Sequence, residues 1–191
     1  MTVFSPCVAF AARETKRAPL ALANVDASGV FEGYASLFGV VDLGRDIVMP
    51  GAFRETLTRR GVAGVKMLWQ HKASEPIGAW LALDEDVRGL RVTGRLNLAV
   101  AKAREVLALI REGAVDGLSI GFRAERSQRD ASGLRRLKKI DLWEISLVTF
   151  PMLPQARVTS IKRAKQVSPM ILRERWLAAA RALSRSAQQA R

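Results

Sequence analysis

A single histidine limits the chemistry that this sequence can perform. His71 is the only histidine among the 191 residues, so any catalysis that uses an imidazole must use this one. The chain also has one cysteine, Cys7, which cannot form a disulfide within the chain. A zinc site built from several His or Cys ligands is therefore excluded.

Ser119 is the candidate partner of His71. It lies in Gly117–Phe122 (GLSIGF), where apolar residues predict a strand and two glycines allow close approach of other backbone. A serine hydroxyl is a poor nucleophile until a neighbouring imidazole accepts its proton, and a third group must hold that imidazole in the right tautomer. Taken alone, such a serine is usually a packing residue, and such a histidine is usually a structural imidazole bonded to backbone groups.

The third group would be an acid, because the chain has no second histidine. Glu144 lies in the otherwise apolar stretch Trp143–Val148 (WEISLV), where a buried carboxylate would be costly without a partner. Asp141 is the alternative. An outward-facing position or a salt bridge to a nearby arginine would explain Glu144 without any catalytic role, and both explanations stay open at this point.

Asp42 and Asp46 are the acids that could hold a hard cation such as Mg²⁺ or Ca²⁺. Two acids on a loop that contains Gly44 are more often solvated turn residues. We therefore predict neither a metal site nor a cofactor.

Short strands dominate the elements that must position these side chains. Alternating apolar residues predict strands over residues 30–38, 65–70, 77–83, 89–98, 118–124 and 134–149. Helical spacing predicts a short helix from Pro50 to Arg60, and a stronger one that is capped by Asn97 and ends at Gly113. The predicted fold class is α+β and β-dominated.

The length favours one folded domain with extensions. We expect a flexible N-terminal arm over residues 1–28, the folded domain over 29–161 and a basic amphipathic helical tail over 162–191. The tail has an apolar stripe of four residues, which are Leu172, Trp176, Ala180 and Leu183. No apolar run reaches the ~18 residues that a membrane span needs, so we expect no membrane partner.

The net charge of +13 predicts an anionic partner, which could be nucleic acid or an acidic protein surface. A basic nucleic-acid-binding module is therefore an alternative function. Its stacking residues would be tryptophans, namely Trp69, Trp80, Trp143 and Trp176. We favour a protein partner, because no nucleic-acid-binding motif is present and tryptophans in apolar runs are more simply core residues.

The order of these segments resembles that of the prohead proteases of tailed phages, which are relatives of the herpesvirus assemblins. The resemblance covers about residues 30 to 160 and rests on Phe31–Tyr34, Asp42, Asp46, Pro50–Phe53, Trp69–His71, Pro76–Gly78, Asp116–Phe122 and Glu144–Pro151. Each motif alone is weak, and their order is the specific signal. One position differs, because many relatives have an acid directly after the histidine and this chain has Lys72.

The resemblance implies an assemblin-like mixed or antiparallel β-barrel flanked by helices. It implies a serine endopeptidase with Ser119 as nucleophile, His71 as general base and Glu144, ahead of Asp141, as the third member. It further implies that the substrates are the scaffolding region of the major capsid protein and the protease itself. The setting would be the immature capsid, or prohead, in the cytoplasm of a bacterial host, for a phage or a phage-like particle such as a gene transfer agent.

Two further expectations accompany this resemblance. The enzyme could act as a homodimer or a higher oligomer. A homologue that has lost activity and serves only in capsid assembly is a second alternative function.

Overall fold

The computed structural model describes residues 28–161, with side chains described as far as Thr159. The predicted helical tail over 162–191, and all but the last residue of the predicted arm over 1–28, lie outside the described residues. In chain order, the strands are β1 (Val30–Leu37), β2 (Asp46–Val48), β3 (Lys66–Trp69), β4 (Lys72–Glu85), β5 (Gly89–Leu96), β6 (Gly117–Arg129), β7 (Arg135–Val148) and β8 (Val158–Ile161). The described chain also contains two helices, α1 (Arg54–Gly64) and α2 (Ala101–Arg111).

The strands form one mixed sheet in the order β2-β7-β3-β4-β5-β1-β8, and β6 pairs with β7 on its other side. Strand β7 runs parallel to β2 and β3, whereas the other pairs are antiparallel. Strand β7 therefore lies between β3, which ends next to His71, and β6, which carries Ser119. This central position makes β7 the strand that both candidate residues share.

The sheet is curled, and the short segment before β8 joins strands from opposite parts of it, because it hydrogen-bonds to both β1 and β6. The carbonyl of Arg157 accepts a hydrogen bond from Tyr34 N of β1 at 3.1 Å, and the carbonyl of Ala156 accepts one from Leu118 N of β6 at 3.0 Å. Gly33 permits this approach, since a Cβ there would lie 2.9 Å from Leu118 Cδ1 and 3.0 Å from Val158 Cα. These contacts confirm the predicted curled, barrel-like β architecture.

The interior of the curled sheet is filled by the alternate apolar residues that predicted the strands. Leu90 and Val92 of β5 are fully buried, as is Ile77 of β4. Helix α2 adds its own apolar face, on which Val106 and Ile110 are buried. The stripe of apolar residues at helical spacing thus has its expected role as a core face.

Both helix starts differ from the prediction. Helix α1 begins at Arg54 and not at Pro50, because Gly51 has a left-handed backbone (φ 85°) that an α-helix does not contain. A second left-handed glycine, Gly61 (φ 62°), kinks α1 directly after the predicted end at Arg60. At α2 the residue before the first helical turn is Val100, and no side chain caps it. Asn97 instead accepts Ala99 N through its side chain at 3.1 Å, which forms a turn ahead of the helix.

Candidate active site

His71 is presented by a left-handed turn at the end of β3. Gln70 and His71 have φ values of 51° and 59°, which are uncommon for residues other than glycine. The turn is tied to β7 and the residue that follows it, because Gln70 N donates to Leu147 O at 3.1 Å and Gln70 Nε2 donates to Thr149 Oγ1 at 2.9 Å. These bonds hold a conformation that costs roughly 1–2 kcal/mol per residue when it is unsupported.

Glu144 is the acid that contacts His71. Glu144 Oε1 lies 2.6 Å from His71 Nδ1. An ionised carboxylate can only accept hydrogen bonds, so Nδ1 carries the hydrogen and the lone pair of the neutral ring is on Nε2. The hydrogen bond to Glu144 raises the pKa of His71 above its ordinary value, against an opposing effect of burial.

The carboxylate of Glu144 is itself held in place by Ser146. Ser146 Oγ donates to Glu144 Oε2 at 2.7 Å, and the same hydroxyl accepts a hydrogen bond from His71 N at 3.0 Å. Ser146 is completely buried. The sequence analysis did not single out this residue, although residues two apart on a strand share a face and the spacing of Glu144 and Ser146 could have indicated it.

Strand β6 brings Ser119 to the same face. In the antiparallel pairing of β6 with β7, Ser119 lies opposite Ser146 and Gly121 lies opposite Glu144. Residues directly opposite each other in such a pair project to the same side of the sheet. Gly121 leaves room for the acid, because a Cβ there would overlap Glu144 Oε1 and lie 2.7 Å from the carboxyl carbon.

Ser119 lies in the wall of a pocket. It is only 4% exposed, and within residues 28–159 its hydroxyl forms no hydrogen bond, to His71 or to any other group. The pocket has a volume of about 300 Å³, and most of the side chains that line it are apolar. They come from β1, β2, β6, β7 and two loops, and include Leu37, Val40, Leu118, Ile120, Leu137 and Leu153.

Asp141 does not contact His71 and belongs to a different cluster. Its carboxylate accepts two hydrogen bonds from Arg60, at 2.8 and 2.9 Å, and one from Arg59 at 2.7 Å. These bonds, together with one from Trp143 Nε1, hold the pKa of Asp141 well below its usual range. Its contacts connect α1 to β7, so of the two acids weighed from the sequence Glu144 is the one beside the imidazole.

Asp42 and Asp46 organise the loop between β1 and β2. Asp46 binds the guanidinium of Arg135 through both carboxylate oxygens, at 2.7 and 2.5 Å, and its backbone N–H donates to Asp42 Oδ1 at 2.8 Å. Burial raises the pKa of Asp42. Within the described ranges no three His, Cys, Asp or Glu side chains are grouped so that they could hold a metal ion.

The comparisons with known proteins agree with the resemblance seen in the sequence. A family model described as Caudovirus prohead serine protease matches residues 17–170. The prohead protease of Enterobacteria phage HK97 is 37% identical over 152 residues, which cover 78% of this chain and 67% of that protein. The capsid polyprotein of Pseudomonas phage PAJU2 is 33% identical over 106 residues, which cover 51% of this chain and only 16% of the polyprotein.

Two solved proteases have a distant structural likeness to this chain. The first is KSHV protease in complex with a hexapeptide phosphonate inhibitor, with a TM-score of 0.49, 13% identity and coverage of 79% of this chain and 75% of that one. The second is the capsid assembly protease gp21 of bacteriophage T4, also with a TM-score of 0.49 and 13% identity, and with coverage of 64% of this chain and 82% of that one. None of the described helices is long and apolar enough to span a membrane.

The family match includes the segments that carry His71, Ser119 and Glu144. The HK97 relative adds a second match, 37% identical over 152 residues, that covers about two thirds of the length of that protein. The chain therefore belongs to the caudovirus prohead serine protease family and is a serine peptidase.

Proposed function

We propose that this peptidase uses Ser119 as its nucleophile, His71 as its general base and Glu144 as the acid that orients the base. The observation that carries the proposal is the 2.6 Å contact between His71 Nδ1 and Glu144 Oε1, on the same face of the sheet as Ser119. In a Ser-His-acid triad the Nδ1 hydrogen is directed at the acid, so that Nε2 is free for the serine.

The reaction follows from these roles. His71 Nε2 accepts the proton of Ser119 as Oγ attacks the scissile carbonyl, and the imidazolium then gives that proton to the leaving amine. Water hydrolyses the acyl-enzyme with His71 again as the base. Glu144 stabilises the imidazolium that forms in each step, and the raised pKa of His71 is the ground-state sign of that stabilisation.

The absence of a hydrogen bond between Ser119 and His71 within the described residues is compatible with this mechanism. Catalytic hydrogen bonds of unliganded enzymes are often long and shorten when substrate binds. The pocket beside Ser119 would receive a substrate side chain next to the scissile bond. Its largely apolar walls favour an apolar side chain there.

The proposed substrates are the scaffolding region of a capsid protein and the protease itself. The two relatives support this, because one is named a prohead protease and the other a capsid polyprotein. The proposed setting is the inside of an immature capsid in a bacterial host, and a homodimer or a higher oligomer is the proposed active form. High local concentration in such a shell would allow each individual contact to be weak.

The nucleic-acid alternative loses much of its support. Besides the net charge of +13, it needed tryptophans that are available for stacking, but Trp80 is 5% exposed and Trp69 packs against the core. Trp176 lies outside the described residues. Trp143 is 52% exposed, and its Nε1 is bonded to Asp141.

The test is co-expression of the chain with the capsid protein encoded beside it, followed by intact-mass measurement of both proteins. We expect cleavage by the wild type and none by Ser119→Ala. Ser127→Ala is the matched control, because Ser127 is an exposed serine of the same strand and should leave cleavage unchanged. Cleavage that survives Ser119→Ala would refute the assignment, and shells that assemble without any cleavage would favour the inactive-homologue alternative.

A further inference from the structure

We propose that Ser146 is a positioning residue of this site, whose hydroxyl holds both the Glu144 carboxylate and the turn that carries His71. The role builds on the function proposed above for His71 and Glu144. It concerns a residue whose hydroxyl is bonded to the Glu144 carboxylate and to the backbone of His71.

The direction of each Ser146 hydrogen bond follows from its partner. A serine hydroxyl has one hydrogen and two lone pairs. The backbone N–H of His71 can only donate, so the hydroxyl accepts there, at 3.0 Å, and its single hydrogen is available to Glu144 Oε2 at 2.7 Å. The hydroxyl is therefore used in both directions at once.

The bonds to Glu144 define the plane of its carboxylate. Oε1 receives the hydrogen of His71 Nδ1, and Oε2 receives the hydrogen of Ser146. With one bond on each oxygen, rotation of the carboxylate breaks at least one of them. The Ser146 hydroxyl thus keeps Oε1 directed at the imidazole.

The second bond supports the turn itself. His71 has a φ of 59°, and its N–H points to the Ser146 hydroxyl where a ladder partner would otherwise be. Removing the hydroxyl would leave this N–H without its partner, in a turn that is already strained. Both the imidazole and its acid would then lose one of their supports.

The position of Ser146 in the sheet fits this role. Its neighbours in register are Leu68 of β3, shortly before the His71 turn, and Ser119 of β6. It is fully buried in a strand whose adjacent residues Ile145 and Leu147 are buried and apolar. A hydroxyl at such a position is favourable only if it is hydrogen-bonded, and both of its partners belong to the candidate site.

His71 is a direct reporter of this arrangement, because it is the only histidine in the chain. Two sets of charged side chains lie near it in the described part of the chain. Glu144 approaches from β7, and Lys72 of β4 is paired with Glu75 at 3.1 Å. The pKa of His71 therefore follows the alignment of Glu144.

The experiment is an NMR titration of ¹³C-histidine in the full chain, made without a histidine tag and with Ser119→Ala to prevent self-cleavage. We expect Ser146→Ala to lower the titration midpoint of His71 towards that of Glu144→Gln. Ser146→Thr retains the hydroxyl and should stay close to the parent. If Ser146→Ala does not fold, as judged by circular dichroism, Ser146→Cys replaces it, since a thiol is a weak donor.

A parallel measurement uses the active chain and follows self-cleavage by intact mass. We expect Ser146→Ala to slow cleavage roughly 10- to 100-fold, which is the typical effect of losing a hydrogen bond to a charged group, and Ser146→Thr to remain near the wild type. A Ser146→Ala chain that titrates and cleaves like its parent would overturn the proposal. Failure of Ser119→Ala to stop cleavage would instead overturn the proposed nucleophile, because the titration does not depend on it.

Discussion

Gly121 offers a sharp test of whether the contact between Glu144 and His71 drives catalysis. A Cβ at this position would overlap Glu144 Oε1 and lie 2.7 Å from Cδ and 2.9 Å from Cγ. Cβ atoms do not tolerate such distances, so something must move in Gly121→Ala. The backbone of Gly121 is compatible with alanine, since its φ is not positive, and the Glu144 side chain is the group that must give way.

Displacement of Glu144 would break its bond to His71 with little cost to folding. Losing a hydrogen bond to a charged group costs about 1.5–3 kcal/mol. Replacing a glycine in a strand by alanine stabilises the folded state by roughly 0.5–1 kcal/mol, because alanine loses less backbone entropy on folding. We therefore expect a net destabilisation of only about 1–2 kcal/mol, whereas removal of the triad acid slows a serine protease by up to ~10⁴-fold.

The assay is a double-mutant cycle with Glu144→Gln, measured as the rate of Ser119-dependent cleavage and as the His71 titration midpoint. If Gly121→Ala acts through Glu144, it should slow the wild type by roughly 10²- to 10⁴-fold but add little in the Glu144→Gln background. Additive losses would show that the alanine harms the site by another route. A Gly121→Ala chain with normal cleavage and a normal His71 titration would refute the reasoning from the overlap.

Other perturbations should separate the roles of the remaining residues. Ser119→Ala and His71→Ala should each lower the cleavage rate by about 10⁶-fold and Glu144→Gln by nearer 10⁴-fold, and equal losses for all three would contradict the orienting role of the acid. The base must be neutral, so kcat/KM should rise with pH through the pKa of His71, with a midpoint above the ordinary 6.5 in the wild type and a lower midpoint in Glu144→Gln. Asp141→Asn should lower Tm by several degrees while the His71 titration stays unchanged, because Arg60 loses its charged partner far from the imidazole. The pKa of Asp141 is depressed in the folded chain, so its ionised carboxylate stabilises the fold at pH values above its unfolded pKa, and this stabilisation is lost as the pH falls through the folded-state pKa. The Tm difference between Asp141→Asn and the wild type should therefore shrink in acid.

The positions of strands could be predicted from the sequence where one face of the strand is buried, because apolar residues then alternate with polar ones. The alternation in β5 predicted residues 89–98, and the strand is Gly89–Leu96 with Leu90 and Val92 in the core. The same reasoning stopped too early in β6, which was predicted to end at residue 124 and continues through polar residues to Arg129. Backbone pairing with β7 holds that part of the hairpin, and such pairing needs no apolar side chains.

The sequence by itself left one candidate for the base, because the chain has one histidine, and the order of its motifs predicted the family. It left two acids open for the third position. The tertiary structure decided which of them lies beside the imidazole, since Asp141 is bound by Arg59 and Arg60 whereas Glu144 contacts His71.

The contacts of Ser146 and Gly121 with Glu144 are seen only in the folded chain. Their importance depends on which residues lie opposite each other across β3, β7 and β6, and strand register is a long-range property. The Ser146 hydroxyl and the space left by the missing Cβ of Gly121 can act on Glu144 only because the sheet places its carboxylate beside them.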